Sequence, residues 1–318
     1  FPDWPCDAFV KDAAKIAIDA DVNQYARPGG HLRLVREVAK HYTTSLARPV
    51  PIEPTTEVAI GVGASEIMYS AMMGLVNPGD EVILIEPAFD IYASQVQMAG
   101  GVCVFVPLTF NESTSQFELD LPAMEAAFTS KTRVLVVNSP HNPTGTVFPK
   151  QDLEQLASVV KWCVPTLSHV EYRVDLVAAP LQEAVATMLK KAVRPFESFS
   201  SYYAYLGDKY LKKRDWLAAA LTALGIPVVL AQGGTFLFAD VSRVAVPASY
   251  LDDGNTPKDY AFCRWLTIEK QVTTIPTSAF YSHTNKANGH CFVRFAYCKS
   301  DVSLALAIER LQSIQLLE

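Results

Sequence analysis

Asn142 stands in the segment Ser139-Pro140-His141-Asn142-Pro143-Thr144-Gly145, directly after the apolar run Val134-Leu135-Val136-Val137-Asn138. Two prolines fix φ and remove backbone donors, and Gly145 permits a tight turn. Asn142 is therefore left with its amide aimed off the carboxyl end of a strand, the edge at which open α/β sheets bind ligands. Arg294, in Phe292-Val293-Arg294-Phe295, offers a planar guanidinium suited to a carboxylate. Gly63-Ala64-Ser65 joins a strand to a helix whose N-terminal N–H groups and positive dipole make a phosphate seat, to which Ser65 adds a hydroxyl. Phe89, in Glu86-Pro87-Ala88-Phe89-Asp90-Ile91-Tyr92, sets an aromatic ring at the end of the next strand. Each motif alone also has a plain reading: a Pro-rich turn, an ion-pair arginine, a helix cap, a core aromatic.

The elements that must position these groups alternate. Glu57 to Gly63 predicts a buried strand, Ser65 to Leu75 a helix stopped by Asn77-Pro78-Gly79-Asp80, and Glu81 to Glu86 and Val102 to Pro107 two further strands. Val134 to Asn138 and a helix from Pro149 to Val160, with Leu153, Leu156, Val159 and Val160 on one face, complete the pattern of a doubly wound α/β domain. From about Pro180 long helices dominate, with Tyr202 to Leu224 ended by Gly225-Ile226-Pro227. Strands at Thr235 to Val241 and Cys291 to Tyr297, a helix at Lys258 to Lys270, and a last helix capped by Ser300 follow. The expected division is a larger domain over residues 46–184 and a smaller one from residues 1–45 and 185–318.

With 318 residues, half of them hydrophobic, the chain is long enough for a large core. No apolar run reaches the roughly 20 residues that cross a bilayer. A net charge of −6 without a basic face or arm argues against nucleic acid as the main partner. Cys6, Cys103, Cys163, Cys263, Cys291 and Cys298 are scattered, without Cys-x-x-Cys spacing or a histidine pair to complete a metal site. That usage fits a reducing compartment, cytosol or mitochondrial matrix. The chain opens at Phe1 without an initiator methionine, so its start says nothing about destination.

Together these segments resemble the fold type I aminotransferases that use pyridoxal 5'-phosphate (PLP). Asn23-Gln24-Tyr25 followed by Gly29-Gly30-His31-Leu32-Arg33 resembles that family's entry segment. Phe1-Pro2-Asp3, the segment from Gln232 to Ser242, Phe262-Cys263-Arg264-Trp265-Leu266 and the segment from Ile275 to Ser282 narrow the resemblance to the kynurenine aminotransferase branch, which includes glutamine transaminase K and cysteine-conjugate β-lyase. The resemblance implies a large, mostly parallel sheet domain with a small α+β domain, and amino transfer between an amino acid and a 2-oxo acid. It also implies site roles: Gly63, Ala64 and Ser65 at the cofactor phosphate, Phe89 stacked on the ring, and Asn142 and Tyr172 at the phenolic oxygen. Tyr25 would reach the phosphate of a neighbouring subunit in a homodimer, and Arg294 with Asn142 would grip the substrate α-carboxylate.

Two departures interrupt the resemblance. Where the family reads Ser-Asp-Glu-Val-Tyr, this chain reads Ser168-His169-Val170-Glu171-Tyr172. His169 can hydrogen-bond the ring nitrogen without stabilising its protonated form as a carboxylate does, and Glu171 would lie on the other face of the strand. The family's Ser-x-Gly-Lys segment, which carries the Schiff-base lysine, and its Gly-Trp-x-x-Gly strand have no counterpart before Ala179-Pro180-Leu181-Gln182. Lys190, Lys191, Lys209, Lys212 and Lys213 read as solvated-face lysines, so no nucleophilic lysine is identified. Loss of two strands between Val58–Val62 and Val134–Asn138 would open the sheet by about 10 Å, at about 4.8 Å per strand, and expose edges. Two readings follow: a PLP-dependent aminotransferase, favoured by Tyr25, Gly63, Phe89, Asn142, Tyr172 and Arg294, or a catalytically inactive aminotransferase-like structural subunit of a larger assembly, favoured by His169 and the missing lysine.

Overall fold

The computed structural model describes residues 2–163, 178–251 and 256–317. The chain begins with α1 (Ala8–Asp19), α2 (Leu32–Ser45) and α3 (Gly63–Leu75), then runs through β1 (Glu81–Glu86), α4 (Ile91–Met98), β2 (Val102–Pro107), β3 (Thr109–Asn111) and β4 (Gln116–Glu118). Next come α5 (Leu121–Ala127), β5 (Thr132–Val136), α6 (Lys150–Cys163), α7 (Ala179–Ala192) and α8 (Tyr202–Ala223). The last elements are β6 (Val228–Val229), β7 (Phe236–Asp240), α9 (Lys258–Glu269), β8 (Ile275–Pro276), β9 (Phe292–Ala296) and α10 (Asp301–Leu311). By contact the chain divides into two compact units, one of Phe1–Trp4, Val76–Thr166 and Tyr210–Glu318, the other of Pro5–Leu75 and Leu167–Lys209. This grouping differs from the division at residues 46 and 184 expected from the sequence, which follows the change from alternating strands and helices to long helices.

In the first unit β1 lies between β2 and β5 in a parallel sheet, with Val82 paired to Cys103 on one side and Val134 on the other. A strand flanked on both edges and covered on both faces needs a continuous apolar run, and Val82, Ile83 and Leu84 are fully buried. Helix α4 makes the β1-to-β2 crossover, and α5, through Met124, and α6, through Leu156, pack in one core with Ile83, Ile85 and Val106. A second sheet in the order β6-β7-β9-β8 is antiparallel, and Leu221 of α8, Leu266 of α9 and Leu311 of α10 pack into its core with Leu237 and Val293. In the second unit α1 and α2 pack on α7, and Leu34, Val35 and Val38 of α2 bury against Ile60 and Ala186. Among the described residues no helix is long and apolar enough to cross a membrane.

The alternating strands and helices expected from residue 81 onward are present, and two expectations are corrected. Glu57–Gly63 is not a strand: only Gly61 is a bridge residue there. A strand exists by pairing its N–H and C=O groups, and among the described residues this stretch joins no ladder. Instead, the Val62 N–H donates to the Glu66 carboxylate of the following helix. Lys213 is not on a solvated face: it is buried, paired to Asp301, with its ammonium 5.1 Å from the Trp4 ring centroid. Its partners come from distant segments that helical periodicity does not report.

Candidate functional site

The turn after β5 is built by side chains that bond its backbone. The Asn142 N–H donates to Asn138 Oδ1 at 2.7 Å, the His141 N–H to the Thr146 carbonyl at 2.7 Å, and the Phe148 N–H to Ser139 Oγ at 3.1 Å. Gly145 has φ +77°, and its carbonyl accepts from the N–H groups of Gln232 at 2.9 Å and Gly233 at 3.0 Å. A Cβ there would stand 2.5 Å from Ala231 Cβ, so glycine is required by both conformation and space. His141 is buried beneath the turn, with Nδ1 2.9 Å from Thr144 Oγ1. Burial lowers its pKa to about 4, against the opposing hydrogen bond to the Ile85 backbone, so the ring is neutral near pH 7.

Asn142 is thereby held half-buried, and its Oδ1 accepts from Arg294 Nη1 at 3.2 Å. With the oxygen turned to Arg294, the amide presents its NH2 as a donor. Arg294 is central in β9 and only 9% exposed. Burial lowers its pKa to about 10, opposed by the charge of Asp90, and the group stays cationic at neutral pH. Its guanidinium carbon lies 4.0 Å from the Phe236 ring centroid and 4.7 Å from that of Phe280. Among the described residues Arg294 forms no ion pair, so a buried cation keeps N–H groups for an incoming anion.

Glu86 closes β1 and is fully buried, accepting from the Ser282 N–H, from Ser282 Oγ at 3.3 Å and from Asn285 Nδ2 at 2.7 Å. Burial raises its pKa, partly offset by the hydrogen bonds from Asn285 and Ser282. Phe89, three residues on, is half-buried and meets Tyr92 edge-on at 5.8 Å.

Asn142, Arg294 and Phe89 all belong to the first unit, with the first two in direct contact. Tyr25, Gly63, Ala64 and Ser65 belong to the second. There Tyr25 is fully exposed on the rim of a cavity of about 530 Å³, and Gly63, with φ +80°, opens α3. His169 and Tyr172 lie outside the described residues. For PLP these groups fit in part. The Asn142 NH2 suits a phenolic oxygen, and the start of α3 suits a phosphate, although the Glu66 carboxylate is already bonded at Val62 N–H. Of the lysines weighed as a covalent anchor, Lys213 is committed to Asp301, and Lys190, Lys191 and Lys212 are exposed helix residues. Sequence reading missed Phe236, Phe280, Glu86 and His141 as parts of this site. Phe236 was legible in principle, since a strand residue two positions from the cross-strand partner of Arg294 shares its face; the others depend on tertiary contacts.

Residues 1–174 match the family described as aminotransferase class I and II. The kynurenine–oxoglutarate transaminase of Dictyostelium discoideum is 31% identical over 395 residues, which cover 99% of this chain and 89% of that protein. Kynurenine–oxoglutarate transaminase 3 of Bos taurus is 30% identical over 375 residues, with 97% and 82% covered. The crystal structure of Bna3p from Saccharomyces cerevisiae matches with a TM-score of 0.87 at 26% identity, covering 98% of this chain and 89% of its own. The first alignment extends over 395 residues where this chain has 318, so that relative carries segments with no counterpart here.

Proposed function

This chain belongs to the class I and II aminotransferases, and from that premise we propose that its site serves amino transfer between an amino acid and a 2-oxo acid, of the type handled by kynurenine–oxoglutarate transaminases. The observation that carries the proposal is the buried Arg294 bonded to Asn142 and without an ion pair among the described residues, a ready grip for an α-carboxylate. The family is generally PLP-dependent, and PLP when bound supplies an electron sink for bond breaking at the α-carbon. In this reading Asn142 and Tyr172 would hold the phenolic oxygen, Phe89 would pack on the ring, His169 would serve the ring nitrogen, and Gly63, Ala64 and Ser65 would seat the phosphate. Residues 46–184 then form the cofactor-binding domain and residues 1–45 with 185–318 the small domain. Tyr25, fully exposed, reaches a neighbouring subunit's phosphate, which makes the working unit a homodimer.

A second reading is favoured by one observation: Lys213 is committed to Asp301, and Lys190, Lys191 and Lys212 are exposed on helices, so none of these four stands ready for covalent attachment. The protein is then an aminotransferase-like subunit without the chemistry, retained in a larger assembly. Intact mass and absorbance between 300 and 450 nm, before and after borohydride, separate the two. A mass above 34.9 kDa and a yellow band fixed by borohydride to one lysine support the transaminase. A mass equal to this chain and no chromophore sink it in favour of the structural subunit.

A further inference from the structure

We propose that Phe236 and Phe280 are positioning residues that set specificity by presenting the edge of Arg294 to a flat carboxylate, a role that rests on the carboxylate-gripping reading of Arg294. Register makes the first contact: Phe238 pairs across the strands with Arg294, so Phe236, two residues along β7, shares its face. Phe280 arrives from elsewhere, at the end of the short turn Thr277–Phe280 that follows β8. Aromatic faces attract a guanidinium without accepting its in-plane hydrogen bonds. They hold Arg294 at 4.0 and 4.7 Å while sparing its N–H groups, whereas a carboxylate neighbour would occupy the fork that a ligand needs. The rings also fill space beside the guanidinium carbon, leaving the N–H edge beside Asn142 as the way in.

Phe280 is itself pinned. Its carbonyl accepts from the Ala88 N–H at 2.7 Å, its ring is buried, and the next residues are tied to the Glu86 carboxylate through Ser282 and Asn285. Glu86 therefore anchors the segment that supplies one ring, and β7 supplies the other.

The test uses the natively purified full chain with R294A, F236L, F280L and F280W. Each is titrated with 2-oxoglutarate by calorimetry, and arginine-labelled samples report the Arg294 guanidinium resonances by NMR. R294A abolishes binding. F236L and F280L weaken it about threefold to thirtyfold and shift the Arg294 resonances toward those of free arginine, while F280W restores both readouts. Leucine variants that bind like wild type, with Arg294 resonances unmoved while R294A binds nothing, overturn the proposal alone. Equal binding by wild type and R294A overturns the carboxylate reading and the proposal together.

Discussion

His141 shows how a single buried group underwrites the site. Its pKa is lowered from 6.5 to about 4, so the folded state prefers the neutral ring. The resulting stability is fully present above pH 6.5 and is lost as pH falls toward 4. At about 1.4 kcal/mol per unit the whole effect is about 3 kcal/mol. His141→Gln should therefore show a flatter urea midpoint between pH 7 and pH 4 than the wild type, with lower stability at pH 7 because Thr144 keeps Thr146 but loses the imidazole. Parallel pH profiles for the two proteins would rule His141 out as the source. Because the ring lies under the turn carrying Asn142, acidification should weaken carboxylate binding before the fold as a whole is lost.

The elements differ in how openly the sequence declares them. Strand β1 was legible because a strand enclosed in a parallel sheet must be a short unbroken apolar run, and β2, at the edge of the same described sheet, was legible from its own apolar run. Helix α10 was legible from its cap: Ser300 Oγ accepts from the Ser303 N–H at 3.2 Å. Ser300→Ala should cost about 1 kcal/mol in thermal or denaturant unfolding, and a loss below a few tenths would mean that Asp3, which bonds the Ser300 N–H, already fixes that end. The segment Glu57–Gly63 misled because its composition is that of a strand while strandedness depends on a neighbour. The β3–β4 hairpin escaped notice because each strand has three residues, too few to show alternation. At the candidate site, motif reading singled out Asn142 and Arg294 separately, while their contact joins residues 152 apart and had no local signal.

For the whole molecule, the decisive fact is that a relative aligned over 395 residues is matched by a chain of 318. A chimera with residues of that relative inserted between positions 172 and 179, where the family's lysine segment is expected, should unfold at a higher temperature than the parent and take up PLP with a visible absorbance band. A chimera that is colourless and no more stable would mean that the fold has been rebuilt around the omission. The same long reach has a bearing on synthesis. The turn at 139–145 is fixed by Ala231, Gln232 and Gly233, and Asn142 is completed by Arg294, 152 residues later. At about 5–20 residues per second, the ribosome needs roughly 8–30 s to make that stretch. The nascent turn waits for Gln232 and Gly233 through more than half of that time and for Arg294 through all of it, and no carboxylate ligand gripped by Arg294 can assist folding before that residue has emerged.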